Sequence, residues 1–175
     1  MAKKTIICVV GASGSGKTTI CLEHERVYGV PMVVSYTTRP MRDGETDGVD
    51  HYFVGKDEVP DKSGMLAYTV FGDNEYWVQK SQIDGCVSGC LTYVVDEDGI
   101  RFFEERYKGV YGIVKVKVVR DDLSQIDDTR KSRDDARVAL SDDDYDIILH
   151  NDGTVADACR ELHEYLVGQG VVEGV

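Results

Sequence analysis

Residues 5–18, TIICVVGASGSGKT, decide the fold. The run from Thr5 to Val10 leads directly into Gly11-Ala12-Ser13-Gly14-Ser15-Gly16-Lys17-Thr18, which satisfies the pattern G-x-x-x-x-G-K-[ST]. A continuous apolar and β-branched run of this kind suits a strand buried on both faces of a parallel sheet. Lys17 to about Tyr28 then reads as a helix, with Gly29 ending it. In a strand, glycine loop and helix arrangement, successive backbone N–H groups curl around phosphate oxygens. The helix terminus adds partial positive charge, and the lysine reaches the terminal phosphates. Gly11, Ser13, Gly14, Ser15, Gly16, Lys17, Thr18 and Thr19 are therefore the expected contacts to the phosphates of a nucleoside triphosphate, and the loop alone does not choose among GTPases, motor ATPases and small-molecule kinases. Thr18 is an expected Mg²⁺ ligand. The plain alternative, a glycine-rich turn with an incidental lysine, does not account for the flanking strand and helix.

Working outward, PMVVSYTT reads as a short strand, and HYFVGKDEV and LAYTVFGDNEYWV read as aromatic-rich β-structure separated by turn chemistry around Pro60 to Gly64. CLTYVVDEDG is a buried strand ending in acids, residues 100–107 are helical, and YGIVKVKVV and YDIILHND are further strands. Residues 121–140 are expected to be partly helical. Thr154 and Asp157 form a capping pattern ahead of a C-terminal helix, and the tail GQGVVEGV reads as loose. Strands alternating with helices predict an α/β fold: a P-loop NTPase core with a parallel sheet flanked by helices and a polar, β-rich inserted lobe. The expected organisation is one domain over residues 1–175, with its core at about 1–34 and 85–175. The lobe takes about 35–84.

The chain has 175 residues and a net charge of −12, which argues against general nucleic-acid or anionic-membrane binding and requires positive charge to be gathered locally for any anionic ligand. The expected partners are small nucleotides, with no nucleic acid or membrane, for a cytoplasmic monomer or homodimer. Five scattered cysteines indicate neither a disulfide framework nor a zinc site. The acidic run SDDDYD lacks the spacing and glycine of a calcium loop and reads as a solvated turn.

The stretch SYTTRPMRDGETDGVDHYFV, Ser35 to Val54, places Arg39 and Arg42 around Pro40, and guanidinium groups are bidentate clamps for phosphate. Ser35, Thr37 and Thr38 add hydroxyls. Surface ion pairs to Asp43, Glu45 or Asp47 are the plain alternative. Together with GASGSGKTT, FGDNEYWV, VVDEDG and YDIILHND, this stretch makes the chain resemble the guanylate kinase family from about residue 5 to 166. The resemblance implies that the inserted lobe binds the acceptor nucleotide and that a short lid is present at about 121–140. It implies phosphoryl transfer from ATP to a nucleoside monophosphate with Mg²⁺, and GMP or dGMP as the first acceptor to consider. It also implies that Arg39 and Arg42 grip the acceptor's phosphate, that Tyr76 assists, and that Ser35 approaches the base. Asp96 would lie near the Mg²⁺ or the acceptor, and Arg130, Arg133 and Arg137 are the candidate lid arginines.

Four departures from the family pattern bear on this expectation. Ala67 stands at the family's base-reading glutamate, Val78 at its hydroxyl residue, and Trp77 at a glycine. His51 replaces a phosphate-contacting tyrosine; it can donate to phosphate, more strongly when protonated, or simply face solvent. Loss of two polar base contacts leaves open a different base, or a sugar phosphate, as acceptor. A non-catalytic interaction domain of the same family would typically lack the phosphate loop that is present here.

Overall fold

The computed structural model describes residues 3–122 and 138–174, which form two compact units. The first comprises Met1–Met32, Ser88–Glu97 and Val110–Val175; the second comprises Val33–Val87 and Asp98–Gly109. The sequence assigned residues 98–109 to the core, whereas here they group with the second unit.

In the first unit, strands β1 (Thr5–Val10), β6 (Cys90–Val94), β7 (Gly112–Val119) and β8 (Ile147–His150) form a sheet in the order β6-β1-β7-β8, with every pairing parallel. Ile6 to Val10 are fully buried, as a continuous apolar central strand requires. Helices α1 (Lys17–Tyr28) and α4 (Val155–Gly168) pack on each other. Their Ile20, Cys21, Leu162 and Leu166 join Ile7, Val9, Val116 and Leu149 in one apolar cluster. Cutting such a side chain, Leu162 for example, to alanine costs about 2–5 kcal/mol. Helix α1 ends where the Gly29 N–H donates to the Glu25 carbonyl at 2.9 Å. Helix α4 begins at Thr154, whose hydroxyl accepts the Asp157 N–H at 3.1 Å, as the capping pattern predicts. Five free cysteines are found; burial pushes the Cys21 thiol up to about 12 and the Cys159 thiol to about 11, so both are inert packing groups.

The second unit holds the strands β2 (Tyr36–Thr37), β3 (Tyr52–Phe53), β4 (Met65–Phe71) and β5 (Asn74–Gln79) in the order β3-β2-β5-β4. Tyr36 stacks on Trp77 at 5.4 Å and Tyr52 on Tyr36 at 4.8 Å, so Trp77 is a packing residue of this sheet. A short helix α2 (Lys80–Gly85), absent from the sequence expectation, follows β5. Helix α3 (Glu97–Tyr107) is tied to the same unit by the Tyr107 hydroxyl donating to the Met65 carbonyl at 2.9 Å and by Arg106 donating to the Lys62 carbonyl at 3.0 Å.

Three local expectations change. PMVVSYTT is not one strand: Met32 bridges to Thr92 in the first unit, Tyr36 pairs in the second, and the unit boundary divides the run. β3 stops at Phe53 because Gly55 opens a turn, its N–H donating to Glu58 at 2.6 Å. The tail is not loose, since Val171 and Val172 pack against the core and the Val171 N–H donates to the Leu166 carbonyl at 2.9 Å. The acidic run forms an exposed turn at Asp142–Asp144, and among the described residues no three carboxylate, imidazole or thiol groups gather as a metal cluster. Among them, too, no helix is long and apolar enough to cross a membrane.

Between α1 and α4, His24 and His163 are buried 5.5 Å apart with no hydrogen-bond partner on either ring, and Tyr28 stacks on His163 at 3.6 Å. Burial, then the neighbouring His163, pushes the His24 pKa from 6.5 down to about 4; burial lowers that of His163 as well. The unfolded chain therefore binds a proton at His24 before the folded chain does. Stability is full above the unfolded value of 6.5 and is lost as pH falls toward 4, by about 3 kcal/mol for His24. Thermal unfolding from about pH 7.5 to about pH 5 should show a falling Tm in the native chain and a flatter profile in His24→Leu. Equal slopes in the two proteins would remove His24 as the source.

Candidate active site

The phosphate loop closes in the first unit at the C-terminal end of β1. Gly11 and Gly16, at φ 156° and 94°, adopt conformations that other residues avoid, and neither has room for a side chain. A Cβ on Gly11 would strike the Val118 carbonyl oxygen, and one on Gly16 the Asn151 amide nitrogen. Asn151, buried at the end of β8, donates from Nδ2 to the Ser15 carbonyl at 2.8 Å and so pins the loop from the far side. Helix α1 starts at Gly16 with no side-chain cap and no acid in its first turn, which leaves its N-terminal amides to an anion. Lys17 donates from Nζ to the carbonyls of Gly11 and Ala12 at 2.7 Å each, folded back over the loop. The Ser15 hydroxyl is buried with no partner among the described residues, whereas Thr18, Thr19 and Gly14 are exposed and Ser13 is half-buried. A loop shaped in this way fits a polyphosphate.

Beside it lies a cavity of about 290 Å³ lined by Gly11, Ala12, Glu97, Lys117, Arg120 and Tyr145. The Tyr145 hydroxyl faces the buried Glu97 carboxylate at 3.5 Å, and Lys117 is paired with Asp142 at 2.5 Å. Asp96, half-buried after the end of β6, belongs to this unit too.

Of the expected acceptor residues, Ser35, Arg39, Arg42, His51 and Tyr76 lie in the second unit and Asp96 in the first. Ser35 Oγ and His51 Nδ1 are 2.9 Å apart, and the His51 ring meets the edge of Tyr76 at 5.9 Å. Thr37 pairs with Tyr76 and Ala67 with Val78 in the β-ladders, so strand alternation puts Tyr76, Val78 and Ala67 on one face and Trp77, Tyr36 and Tyr68 on the other. Ala67 and Val78 are fully buried. The Thr37 oxygen accepts the Arg39 N–H at 3.1 Å, and that of Thr38 accepts the Glu75 N–H at 2.9 Å, so both shape the backbone.

Arg39 is buried and held in a two-pronged pair with Glu45, Nη1 to Oε2 at 2.7 Å and Nη2 to Oε1 at 2.8 Å. Its guanidinium carbon lies 5.2 Å from the Phe53 ring centre. Burial opposes the Arg39 charge, but the Glu45 bonds outweigh it and raise the pKa, while the same bonds hold the Glu45 carboxyl at about 2. Arg42 is exposed. Burial, then the Arg39 charge, holds His51 at about 4, so the ring is neutral at physiological pH and the expected low-pH tightening falls outside that range. Arg130, Arg133 and Arg137 lie outside the described residues.

Sequence reasoning gave no role to Asn151, Arg120 or Tyr145. The signal for Asn151 was present in YDIILHND, but its contact with Ser15 spans 136 positions and no local pattern exposes it.

The sequence profile of the guanylate kinase family matches residues 2–99. The guanylate kinase of Geobacter metallireducens is 30% identical over 186 residues, covering 97% of this chain and 91% of its own length. That of Vibrio cholerae is 30% identical over 147 residues, covering 79% and 71%. The crystal structure of guanylate kinase from Anaplasma phagocytophilum aligns with a TM-score of 0.64 over 99% of this chain and 98% of that one, at 19% identity, and shows the shared fold. A loop built for polyphosphate, a profile match across residues 2–99 and a relative 30% identical over nearly the whole chain lead to one conclusion: this chain belongs to the guanylate kinase family and is a guanylate-kinase-like nucleoside monophosphate kinase, an ATP-dependent phosphotransferase.

Proposed function

We propose that the enzyme transfers the γ-phosphate of ATP to a nucleoside or deoxynucleoside monophosphate, with GMP and dGMP the first acceptors to test. The observation that carries the donor half is the loop from Gly11 to Thr18, closed without room for a Cβ and opening on an uncapped helix N-terminus. Its amides bind the donor phosphates, and Lys17 exchanges its two carbonyl bonds for phosphate oxygens. Thr18 and Asp96 are the oxygen donors for Mg²⁺, which, when bound, neutralises charge on the phosphates. Phosphoryl transfer asks little covalent chemistry of the protein; positioning and cationic stabilisation supply the rate.

On the acceptor side, Arg39, Arg42, His51 and Tyr76 hold the monophosphate and Ser35 orders His51. The Ser35 Oγ and His51 Nδ1 contact orients the neutral ring beside Tyr76. Arg130, Arg133 and Arg137 supply the lid charge that meets the transferring group.

A second reading of the acceptor rests on Ala67 and Val78. These buried apolar side chains share the face of Tyr76 and offer no hydrogen bond to a base edge. A site that hydrogen-bonds its substrate rejects analogues by as much as 10⁴–10⁵, whereas an apolar one separates them by roughly 10² or less. The acceptor preference is therefore shallow, and other bases are used.

An ADP-release assay over all ribo- and deoxynucleoside monophosphates and ribose phosphates tests both statements. Turnover is expected with several monophosphates, with kcat/KM for the guanine nucleotides within about 10² of the others. ATP binding without turnover on any of them would falsify the kinase reading, and a guanine preference above about 10⁴ would sink the shallow-specificity reading alone. For the donor site, Lys17→Ala should lower kcat by roughly 10²–10³ with Tm nearly unchanged, because Lys17 bonds loop carbonyls and takes no part in the core. A large fall in Tm with kcat retained would give Lys17 a structural role.

A further inference from the structure

Arg39 and Arg42 carry the acceptor reading, yet Arg39 is already engaged. Glu45 joins the two arginines through one carboxylate: Oε1 and Oε2 take one edge of the Arg39 guanidinium, and Oε2 also accepts the Arg42 backbone N–H at 2.8 Å. The Glu45 N–H in turn donates to the Arg42 carbonyl at 3.1 Å, closing the turn. Arg39 Nη1 spends its second hydrogen on the Pro40 carbonyl at 2.8 Å. The side chains of this pair are only 9% and 19% exposed, so it is no surface ion pair of the kind that contributes little.

A guanidinium has five N–H groups in a plane. Glu45 and Pro40 take three of them, on Nη1 and Nη2. The Tyr76 side chain is hydrogen-bonded to the same guanidinium and favours its charge, so Arg39 is held between Glu45 and the tyrosine expected at the acceptor phosphate. A guanidinium and a phenol hydroxyl side by side are both donors for phosphate oxygens.

We infer that Glu45 is a positioning residue for the acceptor site: it clamps one edge of Arg39 and the Arg42 amide, so that the Arg39 guanidinium is held beside Tyr76 for the acceptor phosphate. The inference rests on the proposal that Arg39 and Arg42 hold that phosphate. The opposite possibility is a carboxylate standing in for phosphate and leaving when phosphate binds. Departure would break three bonds, untie the Arg42 turn and set a displaced carboxylate beside a phosphate dianion. The clamp keeps all three.

The two arrangements predict opposite signs. The full-length chain is assayed with ATP and the monophosphate that has the highest wild-type kcat/KM. Glu45→Gln should raise the acceptor KM about tenfold or more, leaving the ATP KM within about twofold, because the charge-assisted fork is lost only on the acceptor side. Glu45→Asp, which keeps the charge on a shorter stem, should fall between. Formate added to Glu45→Ala should recover part of the acceptor affinity, a response that a purely structural role would not give. Arg39→Ala should gain nothing from formate.

A lowered acceptor KM in Glu45→Gln, equal changes in both KM values, or a fall in Tm with both KM values intact would each overturn the inference. If Glu45→Gln does not fold, Glu45→Asp carries the same comparison. Absence of wild-type turnover with every monophosphate overturns the acceptor reading and the inference together; wild-type turnover with any contrary variant result overturns the inference alone.

Discussion

Everything in the donor site depends on the absence of a Cβ at the two ends of one loop. Gly11 abuts the Val118 carbonyl on β7, and Gly16 abuts the Asn151 amide beyond β8. Both contacts come from strands more than 100 residues further along the chain, so the loop takes its shape only when the parallel registers Val10↔Lys117 and Val119↔His150 are correct. The apolar cluster of β1, α1 and α4 fixes those registers, since a one-residue slip would turn Ile7 and Val9 away from Leu162 and Leu166. Core packing and phosphate binding are thus one constraint seen at two distances.

The second unit works by the period-two alternation of strands. One face carries Tyr76, Val78 and Ala67, and the other carries the stacked Tyr52, Tyr36 and Trp77. The aromatic stack gives a small sheet, two of whose strands are only two residues long, a rigid back. That rigidity lets the Ser35 to His51 bond and the Arg39 to Glu45 fork hold their geometry on the working side.

Most of the first unit was legible in the sequence, and the reasons are local. The run from Thr5 to Val10, the glycine loop and the helix to Tyr28 are each specified by neighbours within a few positions, and their limits match the structure. The run from Pro31 to Thr38 misled because its hydrophobicity is continuous while its tertiary partners are not: Met32 meets Thr92, and Tyr36 meets Trp77. Arg39 and Arg42 were visible as cations in a turn, but whether Glu45 screens them at the surface or clamps one of them in the interior depends on burial, which composition does not encode. Asn151 and Tyr145 were hidden for a different reason, since each acts on a residue of another element far along the chain.

A chain of net charge −12 must gather positive charge locally to bind anions, and Lys17 and Arg39 are held in opposite ways. Lys17 donates to two neutral carbonyls, bonds that a phosphate oxygen would replace with stronger ones. Arg39 rests on a full negative charge, which keeps it ionised while buried but also fixes it in place. Leaving such a guanidinium buried and unpaired would be strongly destabilising, and pairing it with Glu45 removes that cost. In the proposed reaction, a cation on neutral carbonyls would serve the donor phosphates and a cation anchored by a carboxylate would hold the acceptor still, which suits a transfer that depends on positioning and electrostatic stabilisation.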